Sequence, residues 1–287
     1  MKAVFKHEIS SYYTSLSGYV FGLFLLLFAG IYVMIYNVRN LLTRYEAVIF
    51  SISFVFLIIV PIITMRIFAE EKKQRTDQLL YSLPISIRDI VLGKFLALLV
   101  VFLAPLAIMC VYPLILSAFG DVHMAEAYSA VFAFFLLGMA LLSIGMFISS
   151  ICESQAVAAG LCFVVMLINY FIATLASYTG VSAMGSFIGL TIFVVLFAFI
   201  IRFMTGSIFT AITGGLVIEA ILAAVYMMNQ ELFIALMPRL MEKVSLFERF
   251  NVFINGIFDI SGVFYLLSVT AIFVHLTIQS LEKRRWS

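Results

Sequence analysis

Glu70-Glu71-Lys72-Lys73-Gln74-Arg75-Thr76-Asp77-Gln78 interrupts two long apolar runs, 47–68 before it and 88–118 after it. Six of its first eight residues are charged, in a chain where only 11% of residues are. Each charge at the centre of a bilayer costs about 2.5–3.5 kcal/mol, so burying all six would cost roughly 15–20 kcal/mol. The insert therefore belongs at a membrane surface, and the runs on either side of it are the segments that cross. That reading makes the fold an all-α, polytopic membrane protein.

Composition agrees. Of 287 residues, 64% are hydrophobic and the mean hydropathy is +1.18, well above the roughly 45–50% apolar content of soluble domains. A net charge of +2 is too small and too dispersed for a nucleic-acid footprint. Cys110, Cys152 and Cys162 lie in or beside apolar runs without metal or redox spacing, and read as small packing residues. No cleavable signal sequence is expected, because the first apolar run exceeds a signal core in length and no small-residue cleavage site follows it. Residues 1–17 interleave Lys2, Lys6, His7 and Glu8 with Val4, Phe5, Ile9, Tyr12 and Tyr13, the pattern of a helix lying at the interface.

A spanning helix needs about 20 apolar residues. Runs of that size occupy 18–38, 47–68, 88–118, 128–150, 156–178, 182–203, 206–228 and 260–281. Eight transmembrane helices are expected, the third kinked or tilted by Pro105 and Pro113. Residues 182–228 fit either two full spans or a re-entrant pair. With a cytoplasmic N-terminus, that side receives Lys2, Lys6, Arg66, Lys72, Lys73, Arg75, Arg88, Lys94, Arg202, Lys283, Arg284 and Arg285. The other side receives Arg39, Arg44, Arg239, Lys243 and Arg249, a bias of twelve to five for positive charge inside. Both termini and the polar insert are then cytoplasmic. Residues 229–259 are the sizeable external segment. Leu232, Phe233, Leu236, Met237 and Leu240 form one apolar stripe there, and Leu246, Phe247, Phe250, Phe253 and Ile254 a second, as in helices resting on the outer leaflet.

Short patterns of enzymatic appearance fail on geometry. Glu70-Glu71-Lys72-Lys73-Gln74-Arg75 and Phe119-Gly120-Asp121-Val122-His123 match two elements of membrane-embedded prenyl-protein-type proteases. The third element is missing, because His275 is followed four positions on by Gln279, and the expected orientation sets Glu70 and His123 on opposite sides. The three histidines are scattered, so no metal site is expected. Nor is there a GxxxxGK[ST] phosphate loop, so the chain is expected to be non-catalytic and to need no cofactor. Glu219 and Asn169 fall inside apolar runs and are candidates for an intramembrane polar pathway or for hydrogen bonding between spans. Gly138, Gly145, Gly160, Gly214 and Gly215 permit close helix approach.

The insert itself reads as a short helix. Glu71 and Arg75 are an i, i+4 pair in the favourable order, Leu79, Leu80 and Leu83 supply an apolar face, and Pro84 ends it. Polar tips on an apolar base suit a lever between a bilayer and a cytosolic motor.

Several segments together carry a resemblance. Phe68-Ala69-Glu70-Glu71-Lys72 with Leu79-Leu80-Tyr81-Ser82-Leu83-Pro84, then Val91-Leu92-Gly93-Lys94-Phe95, resemble the type-2 ABC exporter permeases. Ser11-Tyr12-Tyr13-Thr14-Ser15, the stretch 138–150 with Glu153 and Gln155, Phe247-Glu248, and the ending Ser280-Leu281-Glu282-Lys283-Arg284-Arg285-Trp286 extend the likeness over most of the chain. Within that family it most resembles the gliding-motility (GldF-type) and nitrous-oxide-associated permeases. Departures include Arg75 where the family often has Gly, Leu16 for a common Pro, and Asn255-Gly256 for Arg-Gly.

The resemblance implies a six-span core, here extended by a helical pair, and a cytoplasmic coupling helix at 70–84 that docks on an ATPase subunit. Glu70, Glu71, Lys72, Arg75, Thr76, Gln78 and Leu79 are its candidate contacts. It further implies two ATPase subunits, a second permease chain, identical or related, and an accessory subunit in some family members, all in the cell membrane of a bacterium. The alternative is a membrane scaffold whose ATPase partner remodels something outside the cell without moving a solute.

Overall fold

The computed structural model describes residues 1–75, 86–178, 182–205 and 208–286. Every regular element among them is helical, with no strand. Five helices are long and apolar enough to cross a membrane: Leu16–Arg39, Ile87–Ser117, Met124–Ile151, Gln155–Tyr178 and Ile260–Arg284. Two bent pairs raise the number to seven when each is taken as one span, and Ala183–Val195 is a shorter apolar helix. The described residues thus hold five to seven candidate spans, against the eight expected from apolar runs. The chain divides into two compact units, Met1–Tyr170 with Arg249–Ser287, and Phe171–Glu248.

The first unit begins with α1 (Lys2–Thr14), which stops where Ser15 turns extended before α2 (Leu16–Val33). α1 packs one side on the protein, where Val4 and Tyr12 are buried. The second apolar run is broken. α3 (Glu46–Ser53) and the segment Phe56–Gln74, which begins with α4 (Phe56–Thr64), meet at 55°. Pro61 cannot donate a backbone hydrogen bond one turn back, and the Ser53 hydroxyl donates to the Phe50 carbonyl at 2.6 Å. Both weaken the helical ladder near the bend. α5 (Ala69–Gln74) follows.

The third run forms α6 (Ile87–Met109) and α7 (Val111–Ser117), divided at Cys110. Ser86 caps α6 by accepting from the Asp89 amide at 3.1 Å. Pro113 has no N–H with which to reach the Met109 carbonyl four residues back. The hydroxyl of fully buried Tyr45 donates to that carbonyl instead, at 3.0 Å.

α8 (Met124–Ile151) is the core of this unit, with 83% of its most apolar window buried. Glycines make that possible. A Cβ on Gly138 would stand 2.4 Å from the Phe102 ring, so the aromatic cluster of Phe56, Phe102 and Phe134 closes directly on α8, with Phe56 and Phe134 stacked at 4.5 Å. α9 (Gln155–Tyr178) starts in this unit. α13 (Leu246–Ile254) returns to it, burying Phe250 and Phe253, and α14 (Ile260–Trp286) lies along α8, with Phe147 and Phe273 5.7 Å apart.

The second unit holds the end of α9, then α10 (Ala183–Thr205), α11 (Ile208–Met228) and α12 (Leu236–Val244). α10 and α11 are antiparallel, with Phe187 against Tyr226 and Thr191 against Glu219. Ile212–Met228 and Gln230–Val244 meet at 116°. The segment 230–244 folds back on α10: the Met237 amide donates to the Ser186 hydroxyl at 3.3 Å, and Met237 covers Gly189. In the stripe expected to face the outer leaflet, Phe233 and Met237 are buried while Leu232 and Leu240 are exposed. Leu246, Phe247, Phe250 and Phe253 of the second stripe are buried as well. Both stripes contribute to packing.

Candidate functional site

The quoted insert begins where α4 gives way to a turn at 65–68. The acceptor for the start of α5 comes from α8. The fully buried Ser149 hydroxyl accepts from the amides of both Phe68 and Ala69, each at 3.2 Å. Two amides that would otherwise be orphaned at a helix start are thereby satisfied.

The charges of α5 then divide by direction. Glu70 pairs with Arg66 one turn earlier at 2.7 Å. Lys72 is buried and donates to the Ser150 carbonyl and, at 3.3 Å, to the Cys152 carbonyl. It thus caps the C-terminal end of α8, where carbonyls lack partners and the helix dipole favours a cation. Lys73, Gln74 and Arg75 are exposed. Arg75 takes φ +56°, ψ +21° and closes the helix in a left-handed turn, a conformation that favours glycine.

Glu71 turns inward to Lys94. The Lys94 ammonium is 2% exposed and donates to Glu71 Oε1 at 2.6 Å, Glu8 Oε1 at 2.9 Å and the Ile67 carbonyl at 3.0 Å. It also lies 5.2 Å from the Phe68 ring centroid. A lysine has three donors, and here all three are used. The site joins α1, the turn before α5, α5 itself and α6. Gly93 lets α1 approach: a Cβ there would stand 3.2 Å from Val4 and 3.3 Å from the Met1 carbonyl. The buried Tyr12 hydroxyl is held well above its ordinary pKa, chiefly by burial and next by the Glu8 carboxylate.

The sequence singled out Glu70, Glu71, Lys72 and Arg75, and the first three share one short helix that Arg75 closes; Thr76, Gln78 and Leu79, with the rest of the expected 70–84 helix, lie outside the described residues. Lys94, Glu8 and Ser149 were not named as site residues. One signal was present: Lys94 is a lone cation inside an apolar run, and such residues mark function or a specific partner. The segments that carried the family likeness also converge here, since Glu71-Lys72, Gly93-Lys94 and Ser149-Ser150 meet at this spot.

Of the intramembrane polar candidates, Asn169 is half-buried in the first unit and Glu219 belongs to the second. Thr191 Oγ1 donates to Glu219 Oε1 at 2.8 Å, and among the described residues the buried Glu219 Oε2 has no hydrogen-bond partner. Among the described residues, no group of three or more His, Cys, Asp or Glu gathers that could hold a metal ion. The arrangement fastens the inner side of α5 and leaves Lys73, Gln74 and Arg75 exposed at its end.

Comparison with known proteins gives one result of the same kind. The family model described as ABC-2 family transporter protein matches residues 2–284. No curated protein matches the chain.

Proposed function

The chain belongs to the ABC-2 transporter family, and from that premise we propose that it is the permease subunit of an exporter driven through α5. Membership makes it a multi-pass membrane protein, generally non-catalytic, of a family that partners an ABC ATPase and typically dimerises. The reading beyond that is ours. Two permease chains, identical or related, associate with two ATPase subunits in a bacterial cell membrane, with the gliding-motility and nitrous-oxide-associated permeases as the nearest group. An accessory subunit is compatible with this scheme. Eight spans with cytoplasmic termini would put α1, α5 and the start of α6 at the cytoplasmic face, a topology that the twelve-to-five distribution of cations supports.

The observation that carries the proposal is the two-sided character of α5. Its inner side is fastened by Ser149, Lys72 and Lys94, while Lys73, Gln74 and Arg75 project outward. A helix that only linked two spans would need no such fastening. Glu70, Arg75, Thr76, Gln78 and Leu79 then form the ATPase contact, and Glu71 and Lys72 hold the contact helix from beneath. ATP binding in the partner must favour one arrangement of the spans over another for the contact to drive export. Glu219, with one carboxylate oxygen unpartnered, and Asn169 are the residues we assign to a polar path within the membrane.

The test is purification of the tagged full-length chain from native membranes, with assay of the co-purified material for ATP turnover. Glu70→Lys with Arg75→Glu should reduce recovery of the ATPase about tenfold while the chain remains in the membrane. Wild-type recovery and turnover by that variant would overturn the contact. ATP turnover that no extracted cargo stimulates would favour the scaffold reading instead.

A further inference from the structure

We propose that Lys94 is a positioning residue that makes the N-terminal helix and α6 travel with α5 as one body; this rests on the reading of α5 as the ATPase contact. An ammonium removed from water is costly, and only close, hydrogen-bonded counter-charges offset that cost. Lys94 is 2% exposed, and its partners come from three separate places: Glu8 on α1, Glu71 on α5 and the Ile67 carbonyl before α5. No donor is left over to form a replacement bond. If α5 moved away from α6, the ammonium would lose Glu71 and Ile67 together and remain buried against Glu8 alone. If α1 moved away, Lys94 would keep one carboxylate and Glu8 would lose the cation that faces it. Separation is therefore penalised in both directions, and a pull on α5 is passed to α1 and to the third span.

Groups around the site reinforce this. Arg66 is held by Glu70, and Lys72 by the Ser150 and Cys152 carbonyls, so neither cation is placed to substitute for Lys94. Gly93 keeps α1 in direct contact with α6 beside the ion pair. A movement of α5 thus has a defined first consequence, displacement of α1.

The experiment uses the full-length chain in lipid nanodiscs with its co-purified ATPase. Spin labels replace exposed His7 on α1 and exposed Gln74 on α5. In the wild-type background the 7–74 distribution should be narrow, and ATP should leave it unchanged. In Lys94→Met the ATPase should still co-purify, the 7–74 distribution should broaden and shift on ATP, and ATP turnover should fall about tenfold. Lys94→Arg should restore a narrow distribution. If Lys94→Met fails to fold, Glu8→Gln/Glu71→Gln/Lys94→Met removes all three charges and should show the same loss of linkage. A 7–74 distance that stays narrow and fixed in these variants overturns the proposal. If no ATPase accompanies the wild-type chain, the parent reading fails separately, and the nucleotide-free 7–74 width still decides the role of Lys94.

Discussion

A Cβ placed on Gly145 of α8 would stand 2.4 Å from Oγ1 of Thr64 on α4. Thr64 is fully buried and its hydroxyl is already donated to the Val60 carbonyl at 2.7 Å, so it has no free space into which to turn. The two helices touch through this pair, and the central helix of the first unit owes its depth to it. Gly145→Ala should destabilise the protein by about 1–3 kcal/mol, the usual cost of overpacking. By contrast, a Cβ on Gly160 or Gly214 would meet nothing within 4 Å. Thermal unfolding in detergent should separate the two classes, with Gly160→Ala and Gly214→Ala close to wild type. Equal losses in all three variants would mean that close approach is not what Gly145 provides.

Tyr45 and Pro113 should be energetically linked. Tyr45→Phe removes the donor to the Met109 carbonyl and leaves a buried acceptor unmet, at a cost of about 1–3 kcal/mol. Pro113→Ala restores a backbone N–H to that carbonyl, so Tyr45→Phe should cost less in the Pro113→Ala background. A double-mutant cycle on unfolding free energy should report a coupling of about 0.5–3 kcal/mol. Strict additivity would break the link.

Ser149 holds the start of α5 through a single hydroxyl. Ser149→Ala leaves the amides of Phe68 and Ala69 without that acceptor, and about 1–3 kcal/mol should be lost for each group left buried and unpaired. Ser149→Thr retains the oxygen and should preserve protection wherever the extra methyl is accommodated. Hydrogen exchange at Phe68 and Ala69 is the direct readout, and unchanged protection in Ser149→Ala would remove Ser149 from the cap.

Arg75→Gly should tighten the end of α5. A non-glycine residue in the left-handed region carries a penalty of about 1–2 kcal/mol, and Arg75 has φ +56°. Slower amide exchange at Arg75 is expected, with loss of the ATPase contribution assigned to its side chain. A variant whose exchange quickens would show that the arginine side chain, rather than the turn, stabilises this end.

Much of the framework was legible in the chain because hydrophobicity is a local property. Each of the eight apolar runs contains helix, and the third is divided where Pro113 interrupts bonding. Other features were not legible. The run 47–68 reads as one span, yet it bends by 55° between Ser53 and Phe56, before Pro61 is reached, because the place of a proline measures neither the site nor the angle of a bend. Apolar stripes at 232–240 and 246–254 show which faces avoid water, but both lipid and protein satisfy them, and burial of Phe233, Met237, Phe250 and Phe253 required neighbours that no periodicity names.

The opening charged insert shows the division most clearly. By itself the sequence determined that six charges in eight residues stay out of the bilayer, since the cost of burial scales with their number whatever they touch. Only the tertiary structure decided what each charge does. Lys94 sits 86 residues from Glu8 and 23 from Glu71, distances along the chain at which spacing carries no information about contact. A charge count assigned Lys94 to the membrane surface; packing placed it in a nearly dry pocket with all three donors occupied. Hydropathy is summed along a chain, whereas an ion pair exists only where folding brings two distant groups within hydrogen-bonding reach.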